Sequence, residues 1–504
     1  MKRRKFIEYA GLFVAGSAVT NFSGGKQFES ASGNQNPDVL VILVDELSPR
    51  CLGYAGDPNV KTPNIDRLAV EGMIFDNCYT VGPVCMPARA SLISGLYPHN
   101  FDLWTNNQFW YMPPEMAPMF RDIKTAGYTT AQIGKLDWHR GRIWGKEFRD
   151  RTDYYAACGI DDFNNFQNFY SEVQPGSYRE FKSREGFGEQ LQEENEYWHE
   201  NGEFCVVPSR IEPDQHVDSF IGMKSVEYIE KQPLNKPYCL VTSFVGPHQP
   251  FDAPGDYATK VDPETLELFP NVPDRIFFKE YWRRDEMKRI AANYYGKIML
   301  IDDWVGNIIS ALEKRGTLSN TVIIFTADHG EMMGSHGTMG KGQFYDESAK
   351  VPLLIRWPGR IPPHQRTEAL VQMFDVYPTV VEAIGGTLTE GHFAKSFLPI
   401  AEGRTEKIRD AVFSEYGLQQ LGFMVRTERY KWFLPEKHYE GEKLFDMQND
   451  PYEMNNLIDS PEAAPIMNRI KECHLEFFKN TQFNFSANYK SVFSIKGKSK
   501  YPYP

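Results

Sequence analysis

The chain has 504 residues, 41% of them apolar and 14% aromatic, which is ample for one large core with an appendage and leaves room for more than one domain. A formal net charge of −12 argues against non-specific nucleic-acid binding, and it requires that any anionic ligand be held by local cations against the overall field. Seven cysteines without paired spacing indicate neither a disulfide framework nor a zinc knuckle.

In chain order, Lys2-Arg3-Arg4-Lys5 followed by a short apolar run reads as an export signal over 1–22, twin-arginine-like or general. The run is too short to span a bilayer, so no stable membrane insertion is expected. A polar Ser/Gly/Asn/Gln stretch, 23–36, reads as a linker. Residues 38–44 (DVLVILV) form a buried-strand run ending in Asp45-Glu46. Acidic residues at the carboxyl end of a parallel strand lie where open α/β sheets bind ligands, and their oxygens suit Ca²⁺ or Mg²⁺. Glu46 alternatively caps a solvated turn. Pro63 opens a helix.

The segment 81–99 (VGPVCMPARASLISGLYPH) carries the chemistry. Pro87 suits a first helical turn, and a helix is expected from Ala88 to near Gly95. Cys85 then sits at a helix N-terminus, which favours negative charge, and Arg89, one turn on, reaches back over it. A thiol so placed is a plausible nucleophile.

Further along, 116–127 reads as an amphipathic helix and 130–133 as a short strand leading to Gly134-Lys135-Leu136-Asp137-Trp138-His139. Residues 140–213 are aromatic- and Arg-rich with weak periodicity. Most of these aromatics are expected to pack the segment down, while arginines such as Arg140, Arg142 and Arg149 are candidates to fork onto a sugar carboxylate. A helix is expected over 214–232, then a strand over 238–245 leading to His248 between two prolines. Residues 285–316 read as one long helix with Ile290, Tyr294, Ile298, Ile301, Val305, Ile309 and Leu312 on its core face, and Asp302 and Asp303 as solvated or structural. Residues 321–326 (TVIIFT) are a second buried strand with an acidic end, Asp328-His329. Adjacent strands would bring Asp45 and Asp328 together. A strand follows at 351–355 and a helix from Asp375 to about Gly385. After a boundary at 391–407 come short strands at 411–416, 422–427 and 431–434, then a helix at 463–480.

Cys85-x-Pro87-x-Arg89 followed by Ser91-Leu92-Ile93-Ser94-Gly95 resembles the signature of formylglycine-dependent (type I) sulfatases. Thr62-Pro63-Asn64-Ile65-Asp66-Arg67-Leu68, Ala327-Asp328-His329-Gly330 and Leu444 to Leu457 also match that family's segments. The resemblance implies an alkaline-phosphatase-like α/β fold: a large mixed, mostly parallel sheet flanked by helices, plus a small C-terminal antiparallel sheet with a packed helix. It gives a catalytic domain over 37–405 and a C-terminal subdomain over 406–504. It implies that Cys85 is oxidised to formylglycine by a maturation enzyme, with Ca²⁺ (or Mg²⁺) held by Asp45, Glu46, residue 85, Asp328 and His329. Glu46 departs from the family's usual Asp or amide.

The resemblance further implies that Lys135 and Lys341 bind sulfate and that Arg89 steadies the nucleophile. His248 would protonate the leaving alcohol, and His139, displaced by two residues, would serve as base or be a surface imidazole. His336 and Glu347 are expected to be structural. Gly134 to Trp138 is similar to the arylsulfatase K branch, which acts on a sulfated uronic acid. The expected function is hydrolysis of a sulfate ester, most simply a carbohydrate sulfate, by an exported periplasmic or extracellular enzyme. The alternatives are a phosphonate monoester or phosphodiester hydrolase and a non-catalytic sugar-binding relative.

Overall fold

The protein is described from a computed structural model over residues 36–106, 110, 112–138, 152–166, 177–278, 280–418 and 420–482. The expected export signal, nearly all of the linker, His139, Arg140, Arg142, Arg149 and the C-terminal tail fall outside the described residues.

The strands are β1 (Asp38–Asp45), β2 (Met73–Tyr79), β3 (Thr129–Lys135), β4 (Asp162–Phe166), β5 (Tyr238–Pro247), β6 (Arg275–Phe278), β7 (Glu280–Arg283), β8 (Thr321–Ala327), β9 (Lys350–Val351), β10 (Leu353–Arg356), β11 (Gln365–Gln372), β12 (Ala411–Tyr416), β13 (Gly422–Thr427), β14 (Tyr430–Leu434) and β15 (Lys443–Asp446). The main sheet runs β11-β2-β10-β8-β1-β5-β3-β4, with β9 beside β2, and only β9 and β10 are antiparallel to their neighbours. Every residue of β1, β5 and β8 is buried, as expected of parallel strands covered on both faces. Helices Pro63–Glu71, Val217–Lys231 and Arg284–Arg315 form one packed group, and Cys85–Ser94, Met119–Thr125 and Val376–Ala383 form another.

The helix expected at 116–127 is shorter than its pattern. A 3₁₀ turn, Pro114–Met116, precedes a helix limited to Met119–Thr125, because Pro118 disfavours helical dihedrals at Ala117 (φ −115°, ψ 67°). Strands β2 and β11 and the β6–β7 hairpin have no counterpart among the expected elements. The first half of β11 lies at the sheet edge and is largely exposed, so its sequence is polar and lacks a strand's apolar alternation. Asp302 is structural: its carboxylate accepts the N–H groups of Asn64 (3.1 Å) and Ile65 (2.8 Å), capping helix Pro63–Glu71 across the core.

β12 to β15 form an antiparallel sheet backed by helix Ala463–Thr481. A buried ion pair, Lys431 to Asp346, and a hydrogen bond, Arg426 to Tyr79, fasten it to the main body. Lys431 Nζ lies 2.7 Å from both Asp346 and Glu453, and Arg426 reaches the Tyr79 hydroxyl.

His99 makes another fastening. Its Nδ1 faces Glu415 at 2.5 Å and its Nε2 faces the Thr481 carbonyl at 3.2 Å. Two flanking acceptors suit the imidazolium, which donates from both nitrogens. Burial opposes that charge, yet Glu415 outweighs it and raises the His99 pKa. A raised folded pKa contributes stability that is complete below the unfolded value of about 6.5 and is lost as pH rises through the folded one. Thermal unfolding of wild type and His99→Gln across this window should show the variant less stable on the acid side and the gap narrowing with rising pH. A gap that widens with pH would refute the assignment.

Candidate active site

The carboxyl ends of β1, β3, β5 and β8 open on one side of the sheet, where the loops after them converge. The parallel register of β1 and β8 pairs Val44 with Ala327, so Asp45 and Asp328 emerge side by side. The Asp328 Oδ1 atom accepts the N–H groups of Glu46 (3.1 Å) and His329 (2.8 Å), holding both strand ends.

Over these ends sits helix Cys85–Ser94, closed at Gly95 in the left-handed region (φ +68°). It begins at Cys85 rather than Ala88. Pro87 is tolerated because the first turn's N–H groups have no intrahelical partner in any case. The Cys85 sulfur lies 3.2 Å from His329 Nε2, 3.2 Å from Lys341 Nζ and 3.8 Å from Asp45 Oδ1. Burial works against a thiolate, but Lys135, Lys341 and His329 outweigh it and hold the thiol well below its usual pKa. Burial likewise opposes charge on Asp45, and Lys135, bonded to it, keeps that carboxyl below the carboxylate range. On His329 burial opposes protonation, and Asp328 with Cys85 raises the pKa to about 9.

Arg89 is placed differently from the simple reach-back expected of it. It is buried, and its Nε donates to Asp328 Oδ2 at 2.6 Å while Nη1 donates to the Lys135 carbonyl and Ser243 Oγ, each at 2.8 Å. It therefore ties β3, β5 and β8 together beneath the nucleophile position. Its Nη2 is 4.0 Å from Asp45.

Four of the five metal candidates come together: donor atoms of Asp45, Cys85, Asp328 and His329 lie within 4.8 Å of one another, all buried. Glu46 is the exception. It is fully buried with φ +62°, and its Oε2 faces Lys341 Nζ at 2.8 Å and His248 Nε2 at 3.3 Å, so the solvated turn does not occur. Burial, only partly offset by Lys341 and His248, raises its pKa to about 8. Its Oε1 is buried without a hydrogen-bond partner among the described residues. Gly342, next to Lys341, has φ +78°, and a Cβ there would meet the Tyr416 ring at 2.7 Å, so the C-terminal sheet presses on the Lys341 loop.

His336 and Glu347 lie off the site and are structural. His336 stacks on Tyr345, and Glu347 accepts from Asn271 and pairs with Arg50. Sequence reasoning missed Asp137 (φ +53°, 3.5 Å from Lys135 Nζ), Ser243, and Asn106, whose Oδ1 accepts the Met86 N–H at 3.0 Å. None lies in a periodic pattern that marks it. Within the insert, Tyr154, Tyr155, Tyr178 and Phe187 are buried, as the packing reading of its aromatics expects.

The family model described as Sulfatase matches residues 37–386, and one described as N-sulphoglucosamine sulphohydrolase, C-terminal, matches 334–480. The chain is 31% identical to an ulvan-active sulfatase of Formosa agariphila, over 88% of this chain and 81% of that one. It is 26% identical to arylsulfatase K of Gallus gallus, over 92% and 87%. Among solved structures it resembles a phosphonate monoester hydrolase of Agrobacterium radiobacter, with TM-score 0.74, 24% identity, and 88% and 96% of the chains covered.

Proposed function

The chain belongs to the type I sulfatase family and is a sulfuric ester hydrolase, and from that premise we propose that it cleaves a carbohydrate sulfate with a nucleophile derived from Cys85. The observation that carries this reading is the convergence on Cys85 of two strand-end carboxylates, His329 and Lys341. Oxidation of Cys85 to formylglycine by a maturation enzyme replaces its sulfur with a hydrated aldehyde, putting an oxygen nucleophile at the same point. The donor set then becomes carboxylate-rich and oxygen-dominated, which fits a hard divalent cation, Ca²⁺ or Mg²⁺. Asp45, Asp328, His329 and residue 85 would hold it, with the unpartnered Glu46 Oε1 as a further oxygen. Such a cation, when bound, lowers the nucleophile's pKa and offsets charge on the sulfuryl group.

This chain's own residues do the rest. Lys135 and Lys341 place fixed positive charge around the transferring group, where it is worth most in a dry site. His248, on the loop after β5, donates a proton to the departing alcohol oxygen. One oxygen of the residue 85 hydrate would bond to sulfur as the bond from sulfur to the alcohol oxygen breaks, and loss of a proton from the remaining hydroxyl would then expel sulfate and restore the aldehyde, with His139 as candidate base. Arg89 holds Asp328 and does not touch the substrate. Residues 1–22 direct export, 37–405 form the catalytic domain and 406–504 the subdomain that backs Lys341.

Charge alone does not separate sulfate from phosphate. kcat/KM on matched aryl sulfate, phosphate and phosphonate esters, and on a panel of sulfated saccharides, tests the proposal. A sulfated saccharide should rank first. A phosphonate or phosphate diester preferred by about tenfold or more, that is about 1.4 kcal/mol in transition-state binding, would overturn the substrate class.

A further inference from the structure

The loop that carries His248 is held from beneath by a group that touches neither Cys85 nor the carboxylates of the proposed metal site. Lys297 lies in the middle of helix Arg284–Arg315 and is wholly buried. Its ammonium donates three hydrogen bonds: to the His248 carbonyl (2.9 Å), the Pro250 carbonyl (2.8 Å) and Asp252 Oδ1 (2.7 Å). Two of these acceptors are main-chain carbonyls, that of the histidine itself and that of the residue two positions on, and with Asp252 they use the directions an ammonium offers.

The loop has other anchors: Glu46 faces the imidazole of His248 at 3.3 Å and Glu203 accepts from the Gln249 side chain at 3.3 Å, and the main-chain anchors grip the flanks. Asp218 accepts the N–H groups of Val245 (2.8 Å) and Gly246 (3.0 Å), and Val207 donates to the Phe251 carbonyl (2.9 Å). His216 approaches Asp252 at 3.7 Å and Asp218 at 3.5 Å. Of these, Lys297 is the one that bonds the main chain of His248. A buried ammonium is expensive, and helix-to-loop packing is met more simply by an apolar side chain. Its position on the core face is therefore explained by what it holds.

We propose that Lys297 is a positioning residue for His248: by clamping the histidine's own carbonyl and that of Pro250 it fixes the backbone from which the imidazole reaches the leaving oxygen. The proposal rests on the reading of His248 as the proton donor. Its consequence is selective. A good leaving group, such as a nitrophenolate, departs without help, whereas a sugar alcohol needs its proton. Misplacing the donor therefore costs most where the leaving group is worst.

The test is a series of sulfate esters of graded leaving-group acidity, from 4-nitrophenyl to alkyl. It is assayed with mature wild type, His248→Ala, Lys297→Met and the double variant Lys297→Met/Asp252→Asn. The double variant removes the clamp without stranding a buried carboxylate, so it keeps the test usable if the single variant fails to fold. Expected are a steeper dependence of kcat on leaving-group acidity in both Lys297 variants, with kcat down about 10- to 100-fold on the alkyl ester. On 4-nitrophenyl sulfate the loss should stay under about threefold, with KM little changed. Uniform loss across the series, or a wild-type slope in the folded double variant, overturns the positioning role while leaving His248 as the donor. A wild-type slope in His248→Ala overturns the donor reading and the positioning role with it.

Discussion

Cys85→Ala should lose at least about four orders of magnitude in turnover on every sulfate ester, aryl or saccharide alike. The expectation follows from where the side chain stands. At the first position of a helix it is met by Lys341 Nζ and His329 Nε2, each at 3.2 Å, with Lys135 bonded to Asp45 close by. Several cationic groups around one buried side-chain atom is an arrangement suited to an anion, and a methyl group in that place offers none. The rest of the site should survive, since the strand ends are held by Asp328 and Arg89, and Cys85 adds to them only a long 3.8 Å contact with Asp45. Circular dichroism and thermal unfolding of the variant should therefore match wild type within a few degrees. Mass spectrometry of the peptide containing residue 85, from protein co-expressed with a maturation enzyme, should show an aldehyde in wild type. Full turnover by Cys85→Ala would sink the proposed chemistry.

Asp328→Asn is the second large effect, and it separates two roles of one carboxylate. The Asp328 Oδ1 atom accepts two backbone N–H groups, which an amide oxygen can continue to do. Its Oδ2 takes the Arg89 guanidinium at 2.6 Å, which an amide nitrogen cannot. Arg89 is 1% exposed, so the variant leaves a buried cation without its closest counter-charge, at a cost of about 3–5 kcal/mol in stability. The variant also takes one anionic donor from the four-residue cluster. Metal content of the purified folded fraction, read by elemental mass spectrometry, should fall below about a tenth of wild type. Turnover should fall by about three orders of magnitude or more. Wild-type protein that is fully active with no divalent cation bound would refute the metal proposal. A variant that binds no metal yet keeps wild-type stability would refute the pairing with Arg89.

Lys297 shows what a single sequence can reveal and still leave unread. It lies three residues after Tyr294 and four before Ile301, so it falls on the apolar stripe of a long helix, where a charge is out of place. That anomaly is visible in the sequence. Its explanation is not, because the acceptors come from a loop some 45 residues earlier. Glu46 is a similar case. As the residue after a strand it reads equally as a ligand or a turn, and only the loop carrying Lys341, 295 residues away, decides which atoms face it.

What the sequence determined by itself is whatever depends on short range. The apolar runs at β1, β5 and β8 are legible because parallel strands buried on both faces need unbroken apolar sequence. The end of helix Cys85–Ser94 is legible because Gly95 takes the left-handed dihedrals that close it, whereas its start, expected at Ala88, lies three residues earlier. The segments around Cys85, His248 and Asp328 are legible as chemistry because each stands at a strand or helix end, where backbone curvature exposes side chains. Tertiary structure decided the rest. Strand β11 exists only because β2 offers it a parallel edge, and its own polar sequence carries no strand pattern. Arg89 bonds Asp328 because the β1–β8 register sets the two strand ends side by side beneath the helix that carries it. Direction, partner and charge state of a buried side chain are set by groups hundreds of residues away. In a low-dielectric interior those groups outweigh anything the local sequence prescribes.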